Sequence, residues 1–335
     1  MKRFSAGVRF VALFFGAFST LFAVSCGRYP DAAMNDEHEE KAGSLIGEPE
    51  RLGLGYSPLF LKEGYKIQNV DFEVKETIVD IGKGYKYRAM TFDGNFPART
   101  ISVRKNTLVR IKLTNKGNEP HSLHTHVIKY KPESDGTVSS ATLPGETRYY
   151  YWEVTSDTPA GFYPFHDHGG KGESALNRGL IGTVEVLDES TKPGFAVLLH
   201  DLDPKYLFST SGAPAMGAGG ADHSAGHGGG GAMTGDMPAH LINGRIGDDP
   251  ASRFRVKQGD KFRIGVVNLG DNIHNFHPHG NYFTDSAGKI NDVLEVQPGG
   301  YQTVELFAET KGEWMYHCHV PGHPEGGMWS RYEVY

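Results

Sequence analysis

Trp314-Met315-Tyr316-His317-Cys318-His319-Val320-Pro321-Gly322-His323, with Met328 shortly after it, is the stretch whose reading decides this fold. A strand over Tyr316 to Val320 would turn successive side chains to opposite faces, so Cys318 points one way and His317 and His319 the other. A soft thiolate, His323, a weak Met328 and one further histidine make the His2Cys set with long axial methionine that suits an electron-transfer copper. The flanking histidines then serve a different site, one residue away through covalent bonds. The rest of the chain has to supply what both sites lack.

A chain of 335 residues is long enough for about two domains. Its 44 glycines and 18 prolines, with many Val, Thr and aromatic runs, favour short strands and turns, hence an all-β fold. Residues 1–25 read as an export signal: Lys2, Arg3 and Arg9 precede the apolar Phe10 to Val24, too short for a comfortable membrane span. Leu21-Phe22-Ala23-Val24-Ser25-Cys26 resembles a bacterial lipobox, with Ala23 where leucine is usual. The expectation is an exported protein, periplasmic or on the outer cell surface, tethered to a membrane through a lipidated Cys26, with ordinary signal cleavage or a retained anchor as the alternative. With Cys26 carrying lipid and Cys318 binding metal, no disulfide is left. Loss of residues 1–25 removes three basic and no acidic residues, taking the net charge from −6 to −9, which argues against nucleic acid as a partner.

In order, the chain divides into the signal (1–25), a flexible acidic tether (26–60), a first β domain (61–190), an interdomain segment (191–240) and a second β domain (241–335). His38, in the acidic tether, reads as solvated. Ser209 to Ala239 holds Gly-rich runs with Met216, Met233, Met237, His223 and His227; that composition builds no packed core. It reads as a flexible linker, or as thioether and imidazole ligands that capture copper. His200 ends the apolar run Phe195-Ala196-Val197-Leu198-Leu199 and reads as a core or edge histidine.

The two β regions repeat each other. Ile101 through Asn115 lies over Phe254 through Asn268 with an offset of 153, which carries His121, His124 and His126 onto His274, His277 and His279. An offset of 151 carries His166-Asp167-His168 onto His317-Cys318-His319. The first half has Asp167 in the cysteine's place, no match for His323, and Leu180 near where Met328 falls. Of the four electron-transfer ligands it keeps His121 alone, so His121 reads as structural. Alternation turns Asp167 away from His166 and His168. Eight histidines in four HxH pairs remain. Histidines two apart on a strand have backbones about 6.5 to 7 Å apart, so each pair suits neighbouring metals better than one shared metal. A closed zinc site uses four ligands, often with cysteine pairs, so ten clustered histidines with one thiolate fit copper better.

The motifs HxH, HxH, HxxHxHG and HCHx3Hx4M, spread from Tyr65 to Tyr335, resemble those of the multicopper oxidases. With blue-copper ligands in the second half alone, the chain is similar to the small two-domain laccases. The resemblance implies two cupredoxin-like Greek-key β-sandwich or barrel domains and four coppers per chain. It implies a type 1 copper on His274, Cys318, His323 and Met328, and a type 2 copper on His124 and His277. It further implies type 3 coppers on His126, His166 and His319, and on His168, His279 and His317. Cys318, His317 and His319 would relay electrons from a small reducing substrate, with dioxygen as acceptor. The trinuclear cluster would lie between subunits of a homotrimer. Tyr130, six residues after His124, would be either a packed tyrosine or a redox-active side chain near the cluster, and Asp135 a proton source. The substrate class implied is phenols or aromatic amines, with cuprous or another low-valent metal ion as the alternative. A copper nitrite reductase and a non-catalytic copper-binding protein are the competing readings.

Overall fold

The computed structural model describes residues 56–169, 173–209, 240–284 and 288–335. The expected signal, Cys26, His38 and the Met/His-rich segment lie outside these residues. What is described is built of strands, as expected of an all-β chain, with short 3-10 turns and one short helix, Glu173–Arg178.

Each half is a pair of sheets closed on an apolar core. In the first half a five-stranded sheet runs in the order Leu207–Ser209, Tyr85–Phe92, Lys66–Gly82, Thr107–Asn115, Thr147–Val154. Facing it is a four-stranded sheet of Ile101–Arg104, Ile181–Leu187, Gly161–His166 and His124–Thr125. The period-2 pattern explains the packing: Val70, Phe72 and Val74, with Val109, Ile111 and Leu113 on the neighbouring strand, point inward. They meet Trp152 and Phe165 from the other elements in one buried cluster. The second half repeats this. His240–Ile242, Phe195–Asp201, Lys261–Asn268 and Tyr301–Phe307 form one sheet; Phe254–Val256, Trp329–Val334, Gly312–Cys318, His274–Pro278 and Leu294–Val296 form the other.

The repeat is visible in strand pairing as well as in sequence. Lys66–Gly82 runs parallel to Thr107–Asn115, as Phe195–Asp201 does to Lys261–Asn268. Ile101–Arg104 runs parallel to Ile181–Leu187, as Phe254–Val256 does to Trp329–Val334. The 191–240 stretch, expected to connect the domains, therefore carries the first strand of the second half, Phe195–Asp201. It then sends Leu207–Ser209 back to pair antiparallel with Tyr85–Tyr87 of the first half. Composition marks such a run as apolar, but its partner is settled by the opposing sheet.

The halves are pressed together by Phe162, Leu198, Val267 and Leu269, all buried in a common cluster. Burying a phenylalanine such as Phe162 contributes on the order of 2–3 kcal/mol. Glycine is required opposite it: a Cβ on Gly265 would stand 1.9 Å from Phe162 Cγ. Two polar ties cross the same seam. Arg263 Nη2 donates to the buried Glu185 at 2.7 Å, and Phe162 N–H donates to Thr303 Oγ1 at 3.0 Å.

Candidate metal centres

The strand Gly312–Cys318 ends on the cysteine, with Tyr316 and Cys318 buried on its inner face and His317 half-buried on the other. Strand His274–Pro278 lies beside it, setting Phe276 opposite Cys318 and His277 opposite His317. This register, together with the turn after Cys318, collects the expected thiolate site. His274 Nδ1 and His323 Nδ1 stand 3.2 Å apart, and Cys318 Sγ is 3.8 Å from the first and 3.5 Å from the second. Met328 is fully buried in the same core cluster as Cys318. Backbone bonds fold the loop onto itself: Cys318 N–H donates to the Met328 carbonyl at 3.0 Å, and Met328 N–H donates to the His323 carbonyl at 2.9 Å. Asn275 N–H donates to Cys318 Sγ at 3.4 Å. Burial pushes the thiol pKa up and lowers that of His323 to about 4, where neighbouring His240 and His274 also oppose its charge. Two imidazole nitrogens and a thiol sulfur within 4.8 Å of one another, with a buried thioether in the same core cluster, fit copper better than a hard cation.

Two residues beside this site carry no sequence motif and were not anticipated. Asp201, at the end of Phe195–Asp201, pairs in register with His240. Its Oδ1 accepts from His240 Nδ1 and lies 3.3 Å from His274 Nε2. Its Oδ2 accepts from Asp271 N–H, Asn272 N–H and Asn272 Nδ2 at 2.7 to 3.0 Å. Burial raises the carboxyl pKa, but the hydrogen bond from His240 and the close approach of the His274 imidazole overcome it and hold the group well below the usual range. A carboxylate on the far nitrogen of a ligating histidine fixes its tautomer and ring orientation. The His240 ring stacks on His323 with centroids 3.9 Å apart.

The eight remaining histidines form two tetrads of the same design. In the first half His124 lies opposite His166, and His126 Nε2 stands 3.2 Å from His166 Nε2. His168 packs on His166 and His124, with centroids at 4.6 and 4.8 Å. In the second half His317 Nε2 stands 3.1 Å from His279 Nε2, and His277 packs on His279, His317 and His319 at 5.0 to 5.3 Å. Backbone carbonyls fix several tautomers. The Nδ1 of His124 donates to Asp135 O, that of His277 to Asp292 O and that of His317 to Cys318 O, each at 2.7 Å, which frees Nε2 for a metal. Burial first, then neighbouring imidazoles, lowers the pKa of His166 to about 3 and of His126 to about 4, and lowers those of His168, His279 and His317. These rings are neutral near pH 7, the form that binds metal. Among the described residues no hydrogen bond or ring contact joins one tetrad to the other, and the close ligand groups are His124, His166, His168 in one half and His277, His279, His317 in the other.

Tyr130 and Asp135 both reach His124. Tyr130 Oη is 3.5 Å from His124 Nδ1, and Asp135 Oδ1 is 3.5 Å from the same atom. Burial, then a hydrogen bond to Asp135, pushes the Tyr130 pKa up to about 12. Where the first half lacks a thiolate site, His121 Nδ1 meets Asp167 Oδ2 at 2.6 Å, and Asp167 Oδ1 accepts from Ser122 N–H, Ser122 Oγ and Gly169 N–H. Leu180 is fully buried. The Asp167 carboxylate is thus taken up by His121, Ser122 and Gly169, and Asp167 meets the tetrad only through its backbone carbonyl, 3.3 Å from His166 Nδ1.

Residues 73–191 and 229–335 match two family models, both described as multicopper oxidase. The chain belongs to the multicopper oxidase family, as a member of two-domain type. The family binds copper and its members are oxidoreductases. A probable nitrite reductase-hydroxylamine oxidoreductase fusion protein of Kuenenia stuttgartiensis is 27% identical over 71% of this chain and 27% of its own length. Rat ceruloplasmin is 28% identical over 68% of this chain and 22% of its own. The chain thus spans about a quarter of the length of these curated relatives. Among solved structures, a multicopper oxidase superposes with a TM-score of 0.65 at 23% identity, covering 83% of this chain and 92% of that one. The copper nitrite reductase from Nitrosomonas europaea superposes with a TM-score of 0.61 at 19% identity, covering 81% and 94%. These likenesses concern the cupredoxin-like fold.

Proposed function

We propose that this protein is a laccase-like oxidase that couples one-electron oxidation of small phenolic or aromatic reductants to the four-electron reduction of dioxygen to water. The observation that carries the reading is covalent: Cys318, buried in the thiolate site, is bonded through its own backbone to His317 and His319, which belong to a histidine tetrad. When bound, four coppers supply the redox chemistry, one accepting single electrons at the thiolate site and three storing them where dioxygen is reduced. His274, Cys318, His323 and Met328 hold the first; His124 and His277 hold a type 2 copper. The type 3 pair falls to His126, His166 and His319, and to His168, His279 and His317. The chain's own part is to aim His124, His277 and His317 through the carbonyls of Asp135, Asp292 and Cys318, and to disfavour the charged forms of His126 and His166 through burial and neighbouring imidazoles. Tyr130 and Asp135 place a phenol and a carboxyl on His124 for electron and proton supply.

Each tetrad is half a cluster, and the two do not meet within the chain, which supports a homotrimer that joins the first half of one subunit to the second half of the next. A first domain over 61–190, a second that takes in Phe195–Asp201 ahead of 241–335, export and a lipid tether at Cys26 complete the reading. Copper content with electron paramagnetic resonance tests it: four coppers per chain with one type 1 and one type 2 signal is the expected result. A catalytically active monomer in sedimentation would overturn the assembly.

A second reading, oxidation of cuprous or another low-valent metal ion, is favoured by Asp201 and His240. With His274 they form a candidate metal-ligand group at the edge of the thiolate site, and ceruloplasmin and proteins named ferroxidase are among the relatives. Asp201→Asn distinguishes the two. A rise in KM confined to metal reductants supports metal oxidation, and equal effects on phenols and metals count against it. A nitrite reductase is the weaker alternative, because the thiolate set is in the second half and His121–Asp167 fills its place in the first.

A further inference from the structure

The second histidine of each half's first pair is followed by a residue with left-handed backbone. The offset of 153 sets Val127 on Gly280, and their φ angles are 67° and 68°. Glycine adopts this conformation freely, whereas a β-branched residue there is a genuine outlier. In the second half glycine is required twice over, since a Cβ on Gly280 would also stand 2.5 Å from Trp314. In the first half the position equivalent to Trp314 is Tyr163, a smaller ring, and Val127 is accommodated with 44% of its surface exposed. Ile128 N–H donates to the His126 carbonyl at 2.7 Å across Val127, closing a γ-turn of the rare positive-φ kind. The His126 ring is held from two sides, by His166 and by Tyr301, which arrives from the second half and packs edge-on with centroids 5.8 Å apart.

We propose that Val127 is a positioning residue that carries backbone strain to hold the His126 imidazole in its ligating orientation before metal arrives. The proposal rests on the reading of His126 as a type 3 ligand. The same φ at equivalent places, once in a glycine and once in a valine, marks the turn as a requirement of the histidine ahead of it. Strained conformations persist where the surroundings over-determine them and cluster at functional sites. A β-branched side chain adds to the constraint, because its χ1 and backbone wells are few. A glycine would keep the turn accessible while letting the peptide after His126 rotate.

The test uses the full chain with Val127→Gly and Val127→Asn, asparagine keeping a Cβ yet tolerating positive φ. The metal-free Val127→Gly protein is expected to melt about 3 °C higher than the parent. Once loaded, it is expected to lose cluster copper to a competing chelator several-fold faster, with the type 1 resonance signal unchanged. Val127→Asn should fall between the two in both measurements. A melting temperature equal to or below the parent's refutes the strain, and cluster copper lost at the parental rate refutes the positioning. If the parent retains type 1 copper alone, the ligand reading itself has failed. A higher melting temperature in Val127→Gly would then mark strain without positioning, which also overturns the proposal.

Discussion

Two inactive variants of this chain should restore one another's activity. His124→Ala with His168→Ala removes half of the first tetrad, and His277→Ala with His279→Ala removes half of the second. Each pair of changes leaves the other tetrad and the thiolate site in place. Because the tetrads do not touch within one chain, a complete cluster in the proposed ring needs a first half from one subunit and a second half from its neighbour. In a homotrimer of either variant every cluster is broken. In a ring assembled at random from equal amounts of both, an interface works when the neighbour offering its first half is the second variant and the one offering its second half is the first. That is about a quarter of interfaces, so the mixture should recover about a quarter of the parental oxygen consumption per chain. The assay is oxygen uptake with a phenolic reductant after co-expression of the two chains, with sedimentation to verify ring assembly. Recovery near zero from fully mixed, copper-loaded trimers would refute clusters shared between subunits, as would undiminished activity in either variant alone.

Other consequences follow from single contacts. Cys318→Ser should abolish the type 1 signal and steady-state turnover while the tetrads keep their copper, measurable as a drop in copper of about one per chain. His200 is fully buried, edge-on to Phe96, and burial lowers its pKa to about 4. Its unfolded form binds a proton below about pH 6.5, so the metal-free protein should lose on the order of 3 kcal/mol of stability as pH falls from 6.5 to 4. Urea midpoints for the parent and His200→Leu should show this part of the pH slope vanish in the variant. Glu153 is buried and accepts from Tyr56 Oη and from the N–H groups of Leu59, Phe60 and Leu61 at 2.6 to 3.2 Å. Glu153→Ala should therefore cost about 3 kcal/mol and open the 56–61 segment to proteolysis before the rest of the chain, as limited digestion would reveal.

How far the site could be read without a structure differs from residue to residue. Strand alternation is a local rule, so the opposed faces of Cys318 and of His317 and His319 follow from spacing alone. The repeat is also local information, and it separates the half with a thiolate from the half with Asp167. What Asp167 does is another matter: its pairing with His121 joins positions 46 residues apart, and alternation indicates only where it does not point. Asp201 and His240 carry no ligand signal in the sequence because neither belongs to a motif. They meet because Phe195–Asp201 and His240–Ile242 pair in one register, and they reach the thiolate site because both lie in the sheet facing it. A conspicuous signal was available, in that a histidine closes the gap between the Met/His-rich segment and the restart of the β pattern, but its partner was not.

The sequence by itself determined the chemistry: donor types, their order on the strands, the doubling of the module and the family that carries such motifs. Those features depend on covalent order and on the two-residue period of a strand, which any folded form must respect. The tertiary structure decided which donors converge and which stay apart. It assigned Phe195–Asp201 to the second half, brought Asp201 onto His274, set Tyr301 of one half against His126 of the other, and kept the two tetrads separate within the chain. Each of these depends on sheet pairing and on the packing of Phe162 against its cluster. They are interactions between residues distant in sequence, whose geometry is a property of the closed core.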